Sequence, residues 1–193
     1  MHKKIDKILR QIDDSSIQNL VYNLMEKYHD RFITDPAGCS RHHSYAGGLL
    51  DHSFNTAMLA AAMTDRYKKQ HNRSIIVAGA FLHDIGKVLC YEYDKGKEAY
   101  VSTQKSRWHH HIPIGYHLVA KEIDELIKYD KIDPDIADHL LHIIVSHHGR
   151  VEYRSNMPPK TDEAFIVSQA DLIDAYMGAS RTAKRTFNKS RLD

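Results

Sequence analysis

The chain has 193 residues, long enough to bury one domain-sized core without disulfide or metal staples. It is 42% hydrophobic and 27% charged, which excludes an intrinsically disordered chain. A net charge of +2 does not by itself mark a nucleic-acid binder. Cys39 and Cys90 are too few for a disulfide framework and read as free thiols. The N-terminal residues do not form a signal peptide, and the longest apolar run, Ile75 to Leu82, is only eight residues. These features predict a cytoplasmic protein without a membrane span.

In chain order, Ile5, Ile8, Leu9 and Ile12 form a short helical stripe. Asp13 to Ser16 interrupts it and supplies caps for a second helix carrying Ile17, Leu20, Val21, Leu24, Met25 and Tyr28. Thr34 to Ser40, with Pro36 and Gly38, reads as a turn. Long helices are expected from about Ser44 to Tyr67 and from Asn72–Ser74 to Gly86. Tyr91, Tyr93, Tyr100 and Val101 flank Asp94-Lys95-Gly96, the pattern of either a small hairpin or a loop near 91–102. Helices resume from Ile112 to Lys128, from the Asp133-Pro134 start to about His147, and from Thr161 to about Met177. The reading is one all-α bundle. Residues 1–40 form an N-terminal helical extension, 41–180 the main domain, and 181–193 a basic tail with Arg181, Lys184, Arg185, Lys189 and Arg191.

The outlier is histidine, with 15 residues, most of them between 42 and 148. An apolar helix delivers His83-Asp84 just before Gly86. His52 lies on the preceding helix, His111 on the following one, His147-His148 end the next, and Asp171 sits in the middle of the last. The separations of 31, 27, 36 and 24 residues equal about one helix plus one loop each. An antiparallel bundle would bring these side chains to one core site. Four imidazoles and two carboxylates suit two borderline divalent ions bridged by a carboxylate.

The ordered pattern resembles the HD superfamily of metal-dependent phosphohydrolases. The local motifs are Asp35-Pro36-Ala37, the stretch from Arg41 to His52, His83-Asp84-Ile85-Gly86-Lys87, His111-Ile112-Pro113-Ile114-Gly115, Ser146-His147-His148-Gly149, the stretch from Pro158 to Ala164, and Asp171-Leu172-Ile173-Asp174-Ala175. Together they are similar to the catalytic half of YhaM-type 3′→5′ exoribonucleases. The stretch from His42 to His52 also resembles the HD domains of some plasmid-transfer relaxases. Two departures stand out. Those exonucleases carry an N-terminal OB-type domain, for which these residues leave no room, and Arg154-Ser155-Asn156 replaces a small Gly-Ser turn.

The resemblance implies an HD-domain helical bundle holding two divalent ions. Mn²⁺ is favoured, with Fe²⁺, Co²⁺, Ni²⁺, Zn²⁺ or Mg²⁺ as alternatives. The implied ligands are His52, His83, Asp84, His111, His147 and Asp171, with Asp84 as bridge. His110 competes with His111, and His148 with His147. Lys87 would contact the phosphate, and His148 or His110 would protonate the leaving group. His42 and His43 either bind phosphate or cap and pack. Arg107 and Trp108 offer a cation and a stacking face, although Trp108 also reads as core. Asp174 would order a ligand imidazole from behind. The implied reaction is phosphodiester hydrolysis of oligonucleotides by a hydroxide shared between the metals, as a 3′→5′ exonuclease in its most specific form. Alternatives are a nucleotidase, a (d)NTP hydrolase or a cyclic (di)nucleotide phosphodiesterase, with a non-catalytic nucleotide-binding module ranked below. Expected partners are a nucleotide or single-stranded nucleic acid and, through the apolar faces of the N-terminal helices, a second copy of the chain.

Overall fold

The computed structural model describes residues 2–39, 43–66, 71–129, 131–150, 152 and 155–189, with side chains to residue 178. The described residues form eight α-helices and one two-stranded antiparallel sheet. The helices are α1 (Lys3–Leu9), α2 (Ser15–Thr34), α3 (Gly48–Arg66), α4 (Arg73–Leu82), α5 (Gln104–His109), α6 (His111–Lys128), α7 (Pro134–Ser146) and α8 (Asp162–Lys189). A 3-10 turn, Ile85–Leu89, continues α4 and leads into β1 (Tyr91–Asp94), which pairs with β2 (Ala99–Ser102). The predicted all-α class is borne out.

Helix α4 is the axis of the molecule. Every residue from Ser74 to Leu82 is buried, as expected for a helix that is apolar on all sides. It packs against α3, α7 and α8, while α2 and α6 close the core. The stripe of α2 (Ile17, Leu20, Val21, Leu24, Met25 and Phe32) and Ile5 and Ile8 of α1 join this same apolar core. Caps sit where the sequence placed them. Asp14 accepts from the Ser16 and Ile17 amides and Asp133 from Asp135; Asn72, not read as a cap, also accepts from Ile75.

Several boundaries differ from the sequence reading. The third helix begins at Gly48, because Gly47 adopts a φ of 81° in the preceding turn. The fourth ends at Leu82, within the expected limit of Gly86, and tightens into the 3-10 turn. The hairpin forms, with Tyr93 opposite Tyr100 and their rings 5.4 Å apart. The short α5 was not foreseen, and α8 extends beyond Met177 to Lys189. No described helix is long and apolar enough to cross a membrane.

Candidate metal centre

Four elements deliver one imidazole or carboxylate each to a common point, and α4 with its 3-10 extension delivers two. His52 stands early in α3, His83 caps α4, Asp84 opens the 3-10 turn, His111 begins α6, His147 caps α7, and Asp171 lies on α8. The 3-10 turn meets the start of α6 at very short range. A Cβ on Gly86 would lie 2.0 Å from the His111 carbonyl oxygen and 2.5 Å from the Gly115 amide nitrogen. Glycine at 86 is therefore what lets His111 approach Asp84.

Asp84 is the hub, with 1% of its surface exposed. Its Oδ1 lies 3.2 Å from His111 Nε2 and 3.8 Å from His147 Nε2, and its Oδ2 lies 3.3 Å from His83 Nε2 and 3.4 Å from His52 Nε2. Asp171 Oδ1 lies 3.1 Å from His52 Nε2 and 3.6 Å from His83 Nε2. Three of the rings are fixed from behind. His83 Nδ1–H donates to the Ala80 carbonyl and His147 Nδ1–H to the Ile144 carbonyl, each at 2.7 Å. His52 Nδ1 lies 2.7 Å from Asp174 Oδ2. For His83 and His147 these bonds set the tautomer, so Nε2 presents a lone pair inward, and His52 Nε2 does the same once its proton is displaced.

The field inside the cluster is divided. Burial and the neighbouring His148 and His83 push the His147 imidazole down to about 3. Burial likewise holds His111 well below the ordinary histidine range. For His52, burial acts downward, but the Asp171, Asp174 and Asp84 carboxylates outweigh it and raise it well above that range. Burial works against ionised Asp84, yet Lys87, His83 and His111 hold it well below the usual carboxylate range. Asp171 and Asp174 are lowered by their histidines.

This donor set fits a divalent cation. Asp84 Oδ1 is fully buried and has no hydrogen-bond partner, an arrangement that costs free energy unless a cation answers it. The ring nitrogens of His52 and His83 face each other at 3.2 Å, and those of His111 and His147 at 3.5 Å. Lone pairs converging in this way need a shared proton or a metal between them. Among the described residues, four triads have donor atoms within 4.8 Å of one another: His52-His83-Asp171, His83-Asp84-His147, His111-His147-His148 and His43-His52-Asp174.

The structure thus gathers His52, His83, Asp84, His111, His147 and Asp171 at one place. His148, half-buried, joins His111 and His147. His110 is in none of the four triads. It bridges α5 and α6 with a φ of 61°, and its ring packs 4.3 Å from that of His111. Lys87 and His43, weighed above as phosphate contacts, each have partners within the protein. Lys87 is 7% exposed, and its ammonium sits on Asp84 Oδ2 because the 3-10 geometry eclipses residues three apart. His43 has both ring nitrogens engaged, with Asp174 and Tyr45. His42 lies outside the described residues, as do Arg154 and Arg191.

Beside the cluster lies a polar cleft of about 600 Å³, lined by Tyr91, Arg107, Trp108, His110 and Asn156 among others. Trp108 is 72% exposed, which removes it from the core. Arg107 donates to the Ser102 carbonyl. The sequence reading missed Tyr91 and Asn156 here, and Tyr45 and Asp51 behind His43. Tyr45 stands inside the quoted Arg41–His52 motif, but nothing in its spacing marked it.

A helical core holding a buried His/Asp cluster of this order is suited to binding divalent metal. The chain belongs to the HD-domain family, whose model matches residues 49–176. A second family model, TraI_2, whose description names a helicase, matches residues 1–91. Among curated proteins the chain is similar to the 3′-5′ exoribonuclease YhaM of Listeria welshimeri serovar 6b, 34% identical over 91% of this chain and 53% of that protein. It is similar to those of Listeria monocytogenes serotype 4b (34%, over 92% and 54%) and Listeria innocua serovar 6a (33%, over 92% and 54%). The chain therefore spans about half the length of the curated relatives it matches. No solved structure matches it significantly.

Proposed function

We propose that the chain hydrolyses phosphodiester bonds of single-stranded nucleic acid as a 3′→5′ exonuclease. The proposed centre holds two divalent ions, Mn²⁺ favoured, on His52, His83, Asp84, His111, His147 and Asp171. The observation that carries this is Asp84, a buried carboxylate with an unanswered oxygen ringed by four imidazole nitrogens. The choice of nucleic acid rests on the names of the relatives. Divalent ions at such a centre lower the pKa of water towards neutrality and offset charge on phosphoryl oxygens.

The chain's own residues do the rest. Asp84 anchors both halves of the cluster, and Lys87 holds its orientation while adding a fixed positive charge. His148 packs its ring 4.4 Å from His147 and 5.1 Å from His111. It either completes the ligand set or protonates the leaving alkoxide. Trp108 offers an exposed indole to a base and Arg107 a cation to the backbone, across the cleft that His110 shares with the cluster. The cleft's volume also suits a single nucleotide, which favours small-nucleotide hydrolysis as the second reading.

Incubating the Mn²⁺-loaded protein and Asp84→Ala with a 5′-labelled single-stranded RNA 20-mer, and separately with mono-, cyclic and dinucleotides, tests both. A ladder of shortened RNA from the wild type alone is the expected result. Intact RNA with turnover of one small nucleotide selects the second reading. Bound metal with no turnover in either arm refutes hydrolysis.

A further inference from the structure

Behind the His52 ring a run of polar contacts leads away from Asp84. Asp174 Oδ2 lies 2.7 Å from His52 Nδ1 and 2.8 Å from His43 Nε2, so one carboxylate oxygen serves two imidazoles. His43 Nδ1 lies 3.0 Å from the Tyr45 hydroxyl, which donates to Asp51 Oδ2 at 2.9 Å. Asp51 Oδ1 in turn takes the Lys4 ammonium of α1. The His43 and His52 rings are 5.4 Å apart.

His43 is held at some cost. Its φ of 48° is uncommon for a residue with a side chain. Its carbonyl oxygen lies 2.0 Å from where a Cβ on Gly48 would stand, and it accepts from the Ala37 amide at 3.0 Å. The local backbone thus over-determines the position of a buried imidazole that faces Asp174 and Tyr45. A strained, fixed donor on Asp174 restricts the rotation of that carboxylate, and Asp174 in turn fixes the His52 ring.

We propose that His43 is a positioning residue for the metal centre, acting through Asp174 to aim His52 Nε2, with Tyr45 holding His43 from behind. The proposal rests on the reading of His52 as a metal ligand. Partners of this kind typically change metal affinity by about 10- to 100-fold.

The test is Mn²⁺ affinity of the full chain by titration calorimetry, with the metal-free melting point as the control for folding. The variants are His43→Phe, His43→Gln, Asp174→Asn and the double variant His43→Phe/Asp174→Asn. His43→Phe keeps the ring volume but loses the N–H, and its affinity is expected to fall by roughly 10-fold or more. His43→Gln restores a donor and should recover most of the loss. The double variant should bind no more weakly than Asp174→Asn alone, because both changes break one path.

Wild-type affinity in His43→Phe overturns the proposal. So does a His43→Gln variant as weak as His43→Phe, or additive losses in the double variant. Should His43→Phe not fold, Tyr45→Phe decides: weaker binding supports the path, and wild-type affinity overturns it. Absence of Mn²⁺ uptake by the wild type is a separate result, which removes the ligand set itself and the positioning role with it.

Discussion

Replacing Gly86 with alanine adds one methyl group at the closest approach in the metal centre. The new Cβ would stand 2.0 Å from the His111 carbonyl oxygen, 2.5 Å from the Gly115 nitrogen and 3.0 Å from the Gly115 Cα. All three are backbone atoms of α6, so no side chain can rotate away. Restoring ordinary contact at 3.4 Å requires the first turn of α6 to retreat by about 1.4 Å. His111 rides on that turn and would leave Asp84 Oδ1, now 3.2 Å away, by a comparable distance. Overpacking typically costs about 1–3 kcal/mol, and a rigid backbone neighbour argues for the upper end. The gain from a less flexible unfolded chain, roughly 0.4–1 kcal/mol, does not offset it. For a domain of this size each kcal/mol lowers Tm by about 2–4 °C, so a drop of roughly 5–10 °C is expected. A misplacement of about 1 Å at a reacting site can cost on the order of 100-fold in rate, so turnover should fall more than stability implies. Thermal melts of the metal-free protein and turnover of the Mn²⁺-loaded protein measure the two effects. A Gly86→Ala variant that melts within 2 °C of wild type, with unchanged Mn²⁺ affinity, refutes the close-approach argument.

Two further outcomes are expected. Burial depresses His147 to about 3 and His111 well below the ordinary value of 6.5, so in the metal-free protein the unfolded chain takes up these protons first. Their contribution is intact above pH 6.5 and is lost as pH falls from there towards 3, whereas that of His52, raised, is fully present below 6.5 and lost only as pH rises through its folded value. Chelator-treated protein should therefore melt progressively lower from pH 7 to pH 4.5, and a flat Tm over that range contradicts the field described above. Trp108→Ala, at a 72% exposed position, should leave Tm unchanged. It should raise KM for an oligonucleotide by roughly 5- to 150-fold, the equivalent of about 1–3 kcal/mol of base stacking, and leave hydrolysis of a base-free phosphodiester intact. Equal KM values would take Trp108 out of the substrate site.

What was legible in the sequence follows from periodicity and local chemistry. The apolar run from Ile75 to Leu82 could only be a buried element, and the caps at Asp14 and Asp133 are local hydrogen-bond preferences, so they appear where expected. One donor set per helix was readable because two antiparallel helices return the chain to the same end of a bundle: His52 early in α3 meets His83 at the end of α4, and His111 at the start of α6 meets His147 at the end of α7. The choice between His110 and His111 was not, because both carry the same chemistry and only the folded backbone, with a φ of 61° at residue 110, brings His111 to within 3.2 Å of Asp84. The ion pair of Lys87 with Asp84 was not readable either, since the helix tightens to 3-10 geometry after Leu82 and the sequence gives no sign of that change. His43 looked like a loop histidine; its partner Asp174 is 131 residues away, a distance no local pattern spans.

The charge at the centre bears on how many ions it would hold. Asp84, Asp171 and Asp174 contribute three negative charges, all held ionised by their surroundings. Lys87 answers one of them, and in the metal-free protein a protonated His52 answers a second. The remaining negative charge is what a buried cluster cannot leave unanswered. A single divalent ion displacing the His52 proton would bring the cluster to neutrality, leaving no net attraction for an anionic substrate. Two ions would leave two positive charges, matched by one hydroxide and one phosphodiester. Mn²⁺ stoichiometry, measured by elemental analysis after gel filtration, should therefore be two per chain. It should fall to one or none in Asp84→Ala, because only Asp84 reaches all four imidazoles. One ion per wild-type chain, with full activity on an anionic substrate, would show that attraction to the centre comes from elsewhere, and Arg107 at the cleft would then be the cation to remove first.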